Sequence, residues 1–179
     1  MTTMRKINST MAALVAAAML AAKAMAQQQD EELTAPKRRI VISIADRKLA
    51  LTEDGEVIRI YDIAVGAPKT PSPVGVFTIV NRIPNPTWWG PKEVVAPGKA
   101  NPLGTRWMGL SQKGYGIHGT NNQRSIGRNV SHGCIRMRKA DVEELFELVP
   151  VGVVVELVSE RTEEIAMIFG GVDAAALAE

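Results

Sequence analysis

The chain has 179 residues, with one cysteine, two histidines, and 21 basic against 19 acidic residues. A single cysteine excludes an internal disulfide. Three basic residues and no acidic one lie within residues 1–26, so the rest of the chain has 18 basic against 19 acidic residues. The basic isoelectric point of the whole chain therefore does not indicate nucleic-acid binding.

The N-terminus predicts an export signal. Arg5 and Lys6 precede an apolar run over 11–22, and Ala24-Met25-Ala26 has small residues where signal peptidase requires them. The run is shorter than the roughly 20 apolar residues of a membrane-spanning helix, which favours a cleaved signal over the alternative, an uncleaved anchor. We expect residues 1–26 to be a signal peptide and the protein to work in the periplasm or cell envelope.

The remaining chain, about 150 residues, is enough for one domain with a single core. Residues 27–37 are polar and acidic and predict a flexible leader. Runs of β-branched and apolar residues predict strands over 39–44, 48–52, 57–65, 74–80, 105–111, 114–118 and 151–158. Asp54-Gly55 is the turn of a hairpin between the second and third of these strands.

One clear helix is predicted over 141–149. Apolar residues recur in it at helical spacing, Asp141 is its expected cap, and Pro150 follows its end. The sequence therefore predicts a mainly β domain over 38–158, followed by a tail over 159–179 that is at most weakly helical.

A long segment from Pro84 to Leu103 is rich in Pro, Trp and Gly. It is too long and irregular for a tight connection, which indicates a functional loop or lid. Trp88 and Trp89 are its candidate contact residues, and simple packing of the loop onto the core is an equally good reading of them.

Charge is unevenly distributed. No acidic residue lies between Glu93 and Asp141, whereas eight basic residues do. Such a segment is expected to attract an anion, although a solvated basic surface is the simpler alternative.

Both histidines and the only cysteine lie within the same segment, at His118, His132 and Cys134. A zinc site is one reading, but no carboxylate is near in sequence to orient the imidazoles or complete the coordination. A buried inert thiol is another, although Ser-His-Gly and Arg flank it. The third reading is nucleophilic catalysis, in which a histidine activates the thiol and backbone amides hold an oxyanion.

The surrounding motif resembles the catalytic segment of L,D-transpeptidases of the YkuD type. It comprises Ile117-His118-Gly119-Thr120-Asn121, Ser125-Ile126-Gly127 and Ser131-His132-Gly133-Cys134-Ile135-Arg136-Met137. The upstream Thr70-Pro71-Ser72-Pro73-Val74-Gly75 also matches, and the resemblance extends over about residues 40–158. It implies a mainly β fold, a β-sandwich of mixed sheets with one short helix beside the active site.

The resemblance also implies catalytic roles. Cys134 matches the nucleophile, His118 the base that activates it, and the Gly119 carbonyl the group that orients the imidazole. Gln123-Arg124 stands where a proline-containing loop is expected, which leaves the catalytic set intact and affects only the shape of that loop and its substrate contacts.

Further roles concern the substrate. The backbone amides of His132, Gly133 and Cys134 match an oxyanion hole, and the His132 side chain is expected to be structural. Arg136 and Ser131 are the candidate substrate-binding residues. The resemblance implies no cofactor and no metal.

The implied activity is peptidoglycan L,D-transpeptidation. A cysteine acyl-enzyme forms on a stem tetrapeptide at the bond between diaminopimelate and D-alanine, and an amine acceptor then receives the acyl group. The products are 3→3 cross-links or attached amino acids or proteins. Alternatives are an L,D-carboxypeptidase, a transpeptidase that anchors an outer-membrane protein to peptidoglycan, and a non-catalytic wall-binding module. No nucleic-acid partner is expected, and the oligomeric state is open.

Overall fold

The structure is a computed structural model that describes residues 17–23, 25 and 37–170. The chain divides into two compact units, Met1–Pro36 and Lys37–Glu179. The described residues of the first unit are helical, and most of the predicted signal peptide and nearly all of the leader lie outside the described residues. Within the described ranges, no helix has the length and apolar character needed to cross a membrane.

Strands form most of the second unit. In chain order they are β1 (Arg38–Ser43), β2 (Lys48–Glu53), β3 (Glu56–Gly66), β4 (Gly75–Pro84), β5 (Trp88–Trp89), β6 (Val94–Val95), β7 (Arg106–Leu110), β8 (Gly116–His118), β9 (Asn129–Ser131), β10 (Ile135–Met137) and β11 (Val154–Val158). The helices are α1 (Lys139–Leu148) and α2 (Glu163–Phe169), with a 3₁₀ turn at Gln123–Ser125.

The main sheet has the order β10-β8-β7-β4-β11-β1-β2-β3-β9. Because β10 also pairs with β3, the sheet closes on itself as a barrel-like sandwich. The pairs β1–β11, β8–β10 and β3–β9 are parallel, and the others are antiparallel. The prediction of a mainly β fold with mixed strand pairing is confirmed.

The predicted hairpin is present. Asp54 and Gly55 have φ angles of 51° and 91°, the positive values that a two-residue turn between twisted strands requires. The short strands β9 and β10 were not predicted. Each has three residues, too few for an alternating pattern to be recognised in the sequence.

The predicted cap of α1 is wrong. The helix begins at Lys139, its N-cap is Arg138, and the Arg138 side chain makes no capping hydrogen bond. Asp141 lies instead in the first turn, where its carboxylate favours the positive end of the helix dipole. The apolar face of α1 is as predicted, with Val142, Leu145 and Phe146 buried.

The core fills the closed sheet and the underside of α1. Its largest side chains with almost no exposure are Ile40, Ile42, Leu49, Leu51, Ile63, Ile79, Met108, Ile117, Ile135, Met137, Leu145 and Leu157. Each such burial stabilises the fold by roughly 1.5–3 kcal/mol. Because Ile117 and Ile135 pair across β8 and β10, the core fixes the strand that ends at His118 and the strand that begins directly after Cys134.

A second, smaller cluster forms on the outer face of the sheet. Val41 and Ala50 pack there against Ile165 and Phe169 of α2. Thr162 caps this helix, since its hydroxyl oxygen accepts the Ile165 amide at 3.3 Å. The part of the tail that the structure describes is therefore a packed helix, and residues 171–179 lie outside the described residues.

Replacing Phe169 by Ala should lower the free energy of unfolding by about 2–3 kcal/mol, because it empties the main contact of α2 with the sheet. Met167→Ala on the exposed side of the same helix is the control, since this side chain is 67% exposed. Urea unfolding of both variants measures the difference. Equal stabilities would show that α2 does not contribute to the folded domain.

Candidate active site

Cys134 follows a tight turn between β9 and β10. Gly133 has a φ of +107°, and a Cβ at this position would lie 2.5 Å from Cε1 of Tyr115. Ser131, which is 1% exposed, holds the turn from inside. Its hydroxyl accepts the Gly133 amide at 3.0 Å and donates to the Cys134 carbonyl at 2.6 Å. This backbone conformation places the cysteine, and it requires glycine before it.

The Cys134 thiol lies at the edge of a groove of about 330 Å³. The residues that line this groove are Ile83, Pro86, Thr87, Trp88, Trp89, Leu103, Trp107, Gly114 and Cys134. We call it the Cys134 groove. The thiol faces the Gly114 carbonyl oxygen at 3.6 Å. Burial raises the pKa of the Cys134 thiol, while the Gly116 backbone and the Arg136 charge act in the opposite direction.

His118, at the end of β8, is 5% exposed. Its Nδ1 lies 2.6 Å from the Gly119 carbonyl oxygen, and its ring stacks on Trp107 with the centroids 5.6 Å apart. A carbonyl oxygen only accepts, so Nδ1 carries the proton and Nε2 keeps its lone pair. Burial lowers the pKa of His118 to about 4, so the imidazole is neutral at physiological pH.

The sheet brings the two side chains to the same end of the fold. Strands β8 and β10 are parallel neighbours in which Arg136 pairs with His118, and Cys134 immediately precedes β10. The Arg136 charge lowers the pKa of both His118 and Cys134. At rest the site therefore holds a neutral thiol and a neutral imidazole. Chemically, such a pair can generate a thiolate by transfer of the thiol proton to the imidazole.

The other predicted site residues occupy different positions. The His132 side chain is exposed. The Gly133 amide already donates to the Ser131 hydroxyl, so in this conformation it is not directed at an oxyanion. The oxyanion hole, and the share of His132 and Cys134 amides in it, stay predictions. The buried Ser131 hydroxyl already forms hydrogen bonds with two backbone groups, which favours a structural role over contact with substrate.

Arg136 is partly buried and lies next to both reactive groups. No acidic side chain of residues 37–170 lies within salt-bridge distance of it. Its charge is therefore free to attract a substrate carboxylate or to stabilise a thiolate, and the predicted substrate contact stays a prediction.

Residues 94–140, which contain basic but no acidic residues, are partly neutralised by acidic side chains of other segments in the folded protein. Arg138 contacts Asp62 at 3.2 Å and Asp141 at 3.6 Å, and Lys139 contacts Glu143 at 3.2 Å. Two of the eight cations thus have acidic partners, of which Asp62 on β3 is distant in sequence and Asp141 and Glu143 lie in the first turns of α1. Among the described residues, no group of three or more His, Cys, Asp or Glu side chains is placed to hold a metal ion.

Several residues of the groove were not predicted as functional. Trp107 lies opposite His118 on β7, and nothing in the sequence distinguishes it from a core aromatic. Gly114 and Leu103 also went unrecognised, because their contributions come from backbone position. The two tryptophans of the predicted loop both line the groove, Trp89 with 77% of its surface exposed and Trp88 packed over Gly90.

Fold and site together define a class: a mainly β domain with a buried histidine and with a cysteine in a groove that residues of the 84–103 segment help to line. Residues 37–157 match the sequence model of the YkuD family, the L,D-transpeptidase catalytic domain. The chain therefore belongs to this family, and the predicted resemblance is confirmed.

Individual relatives agree. A protein of Bacillus licheniformis named L,D-transpeptidase YkuD is 46% identical over 114 residues, 64% of this chain and 61% of that protein. The Bacillus subtilis protein named L,D-transpeptidase YqjB is 36% identical over 72% of this chain and 76% of its own length. The chain thus spans about three fifths of the first relative.

A solved structure has the same fold. It is an Enterococcus faecium L,D-transpeptidase crystallised with a cysteine replaced by serine. The TM-score is 0.59 and the identity 28%, over 68% of this chain and 50% of that one.

The buried neutral His118 should make stability depend on pH. The unfolded chain protonates this histidine below about pH 6.5, whereas the folded protein does so only near pH 4, so the unfolded state binds one more proton between these values. Stability should fall as the pH drops from 6.5 to 4, by up to about 3 kcal/mol from this residue alone. Urea unfolding at pH 7.5 and 5 measures the loss.

His118→Asn removes the titrating ring and keeps an amide donor near the Gly119 carbonyl, so its stability should fall less over that interval. His132→Asn, at the exposed histidine, should retain the wild-type dependence. Parallel pH profiles for the wild type and His118→Asn would contradict the buried neutral state.

Proposed function

We propose that the protein is a peptidoglycan L,D-transpeptidase that works in the periplasm or cell envelope after export, with Cys134 as nucleophile and His118 as base. One observation carries the proposal. A partly buried thiol lines a groove whose walls include residues of the segment over 84–103, and the strand that follows the thiol pairs with the strand that ends at His118. This histidine is buried, and its Nδ1 proton is held by the Gly119 carbonyl. Family membership supplies the substrate class, the stem peptides of peptidoglycan.

In the first half-reaction, Sγ of Cys134 attacks the carbonyl carbon between diaminopimelate and D-alanine. The thiol proton passes to Nε2 of His118, and the imidazolium then protonates the leaving amine of D-alanine. The neutral imidazole suits this task, because a lowered pKa keeps Nε2 free to accept the proton at neutral pH. A thioester of the stem peptide on Cys134 results.

In the second half-reaction an amine attacks the thioester. Its proton passes to His118 and then to the departing sulfur, so the enzyme returns to its starting state. The acceptor is the side-chain amine of a neighbouring diaminopimelate, giving a 3→3 cross-link, or an amino acid or a lysine of an outer-membrane protein. Arg136 has no acidic partner in residues 37–170, and its charge lowers the pKa of both His118 and Cys134, which supports a role in attracting a stem-peptide carboxylate.

The groove favours aminolysis over hydrolysis. Its walls include Trp88, Trp89 and Trp107, and an apolar lid reduces the access of water to a thioester. An L,D-carboxypeptidase uses the same acyl-enzyme but transfers it to water. The lid is therefore the feature that supports a transferase.

Replacing Cys134 by Ser should abolish both half-reactions, with a rate loss of at least about 10³-fold, because an alkoxide is not accessible to this base. The assay incubates the protein with disaccharide tetrapeptides and follows the acyl-enzyme by intact-protein mass spectrometry and the products by muropeptide chromatography. Wild-type protein should gain the mass of the acyl group and release D-alanine.

Product identity separates the alternatives. Dimers with a 3→3 link support transpeptidation, and tripeptide alone indicates a carboxypeptidase. Mass spectrometry of wall-bound proteins in a deletion strain tests protein anchoring. Wild-type protein that binds muropeptides without acylation would overturn the enzymatic proposal in favour of a binding module.

A further inference from the structure

Asn101 is the fully buried polar residue of the lid, the segment over residues 84–103. Its Nδ2 shares two hydrogens among three carbonyl oxygens, those of Pro86 at 2.8 Å, Val95 at 3.1 Å and Ala96 at 3.3 Å. Its Oδ1 accepts the Leu103 amide at 2.8 Å. One side chain therefore bonds to the beginning, the middle and the end of the lid.

Two of these partners are walls of the Cys134 groove. Pro86 lies on the segment that enters the lid and Leu103 on the segment that leaves it, and both line the groove. Val95 belongs to β6, which pairs with the tryptophans of β5. The Asn101 side chain thus links two walls of the groove to each other and to β6.

The end of the lid also contacts the main chain next to His118. Gly104 has a φ of +66°, and a Cβ there would lie 2.9 Å from the Cα of Gly119. The Leu103 carbonyl oxygen is 3.2 Å from where a Gly119 Cβ would be. Movement of the lid would therefore change the surroundings of the catalytic histidine as well as the groove.

We propose that Asn101 is a positioning residue that holds the lid closed over the Cys134 groove and so sets how the acyl-enzyme divides between an amine acceptor and water. The inference deepens the proposed function and rests on it. Asn101 does not reach the Cys134 groove itself, because all its side-chain polar atoms are bonded to the lid backbone.

The physical basis is the cost of unpaired buried polar groups. Without the amide donor, the carbonyls of Pro86, Val95 and Ala96 lose a shared partner and regain hydrogen bonds only if water enters. Water that reaches these carbonyls separates the two ends of the lid and so opens it. The same opening exposes the thioester to hydrolysis and exposes the imidazole of His118.

Asn101→Asp is the sharpest variant. It keeps the shape and the Oδ1 acceptor for the Leu103 amide, but a carboxylate cannot donate to the three carbonyls. Asn129→Asp is the matched control, because it adds the same charge at an exposed position on β9, outside the lid. Asn101→Ser, which retains one donor, replaces the first variant if Asn101→Asp does not fold.

The first measurement is the product ratio for full-length protein with a disaccharide tetrapeptide as donor and acceptor. In Asn101→Asp the ratio of hydrolysed tripeptide to cross-linked dimer should rise by about tenfold, while the rate of Cys134 acylation changes by no more than about threefold. Asn129→Asp should match the wild type. An unchanged ratio in Asn101→Asp would overturn the proposal.

The second measurement needs no turnover. NMR titration of the imidazole signals gives the pKa of His118, and His132 is the only other histidine in the sequence. In Asn101→Asp the pKa of His118 should rise from about 4 by at least about one unit toward its ordinary value. A lower melting temperature with no change in this pKa would reduce Asn101 to a structural role. If the wild type forms no acyl-enzyme, the proposed function fails, whereas the titration still tests the lid.

Discussion

The hydrogen bond between Nδ1 of His118 and the Gly119 carbonyl is the interaction on which the site depends. It fixes the tautomer, since a carbonyl can only accept, and it aims the ring while Trp107 covers one face. Burial then keeps the imidazole neutral, so that a base is available without an acidic residue to orient it. The carbonyl hydrogen bond raises the pKa of His118, but burial outweighs it, so the ring is oriented and stays neutral.

Backbone geometry places the other reactive group in a similar way. Gly133 takes a conformation that other residues rarely adopt, and the Ser131 hydroxyl joins both sides of the turn that ends at Cys134. The parallel pairing of β8 with β10 then sets the two strands side by side. Neither the turn at Gly133 nor the β8–β10 pairing relies on a long flexible side chain, so the site is held by the backbone of the closed sheet itself.

Sequence patterns predicted much of this organisation. Because Cys and His are scarce in the chain, their occurrence in one segment predicted His118 and Cys134 as site residues, and the motif around them indicated the family. Long strands such as β3 were recognisable from β-branched residues, and the Pro- and Trp-rich segment from 84 to 103 was recognisable as a lid candidate. Each of these signals is local, so it is readable without the fold.

The remaining features depend on contacts between distant residues. Asp62 of β3 pairs with Arg138, which the sequence places in a segment free of acids. Asn101 shows no pattern that separates it from any polar loop residue, because its role arises from where four backbone groups converge. The start of α1 was predicted wrongly for a related reason. Aspartate is a favourable N-cap residue, but the chain leaves β10 at Met137 and enters the helix at Lys139, two residues before Asp141.

The state of His118 is the central claim, and ¹⁵N NMR of the histidine rings measures it most directly. At pH 7 the spectrum should show a neutral His118 with the proton on Nδ1, and the ring should become an imidazolium only near pH 4. The exposed His132 provides an internal comparison. A proton on Nε2, or an imidazolium at pH 7, would contradict the account, since neither form leaves Nε2 able to accept the thiol proton.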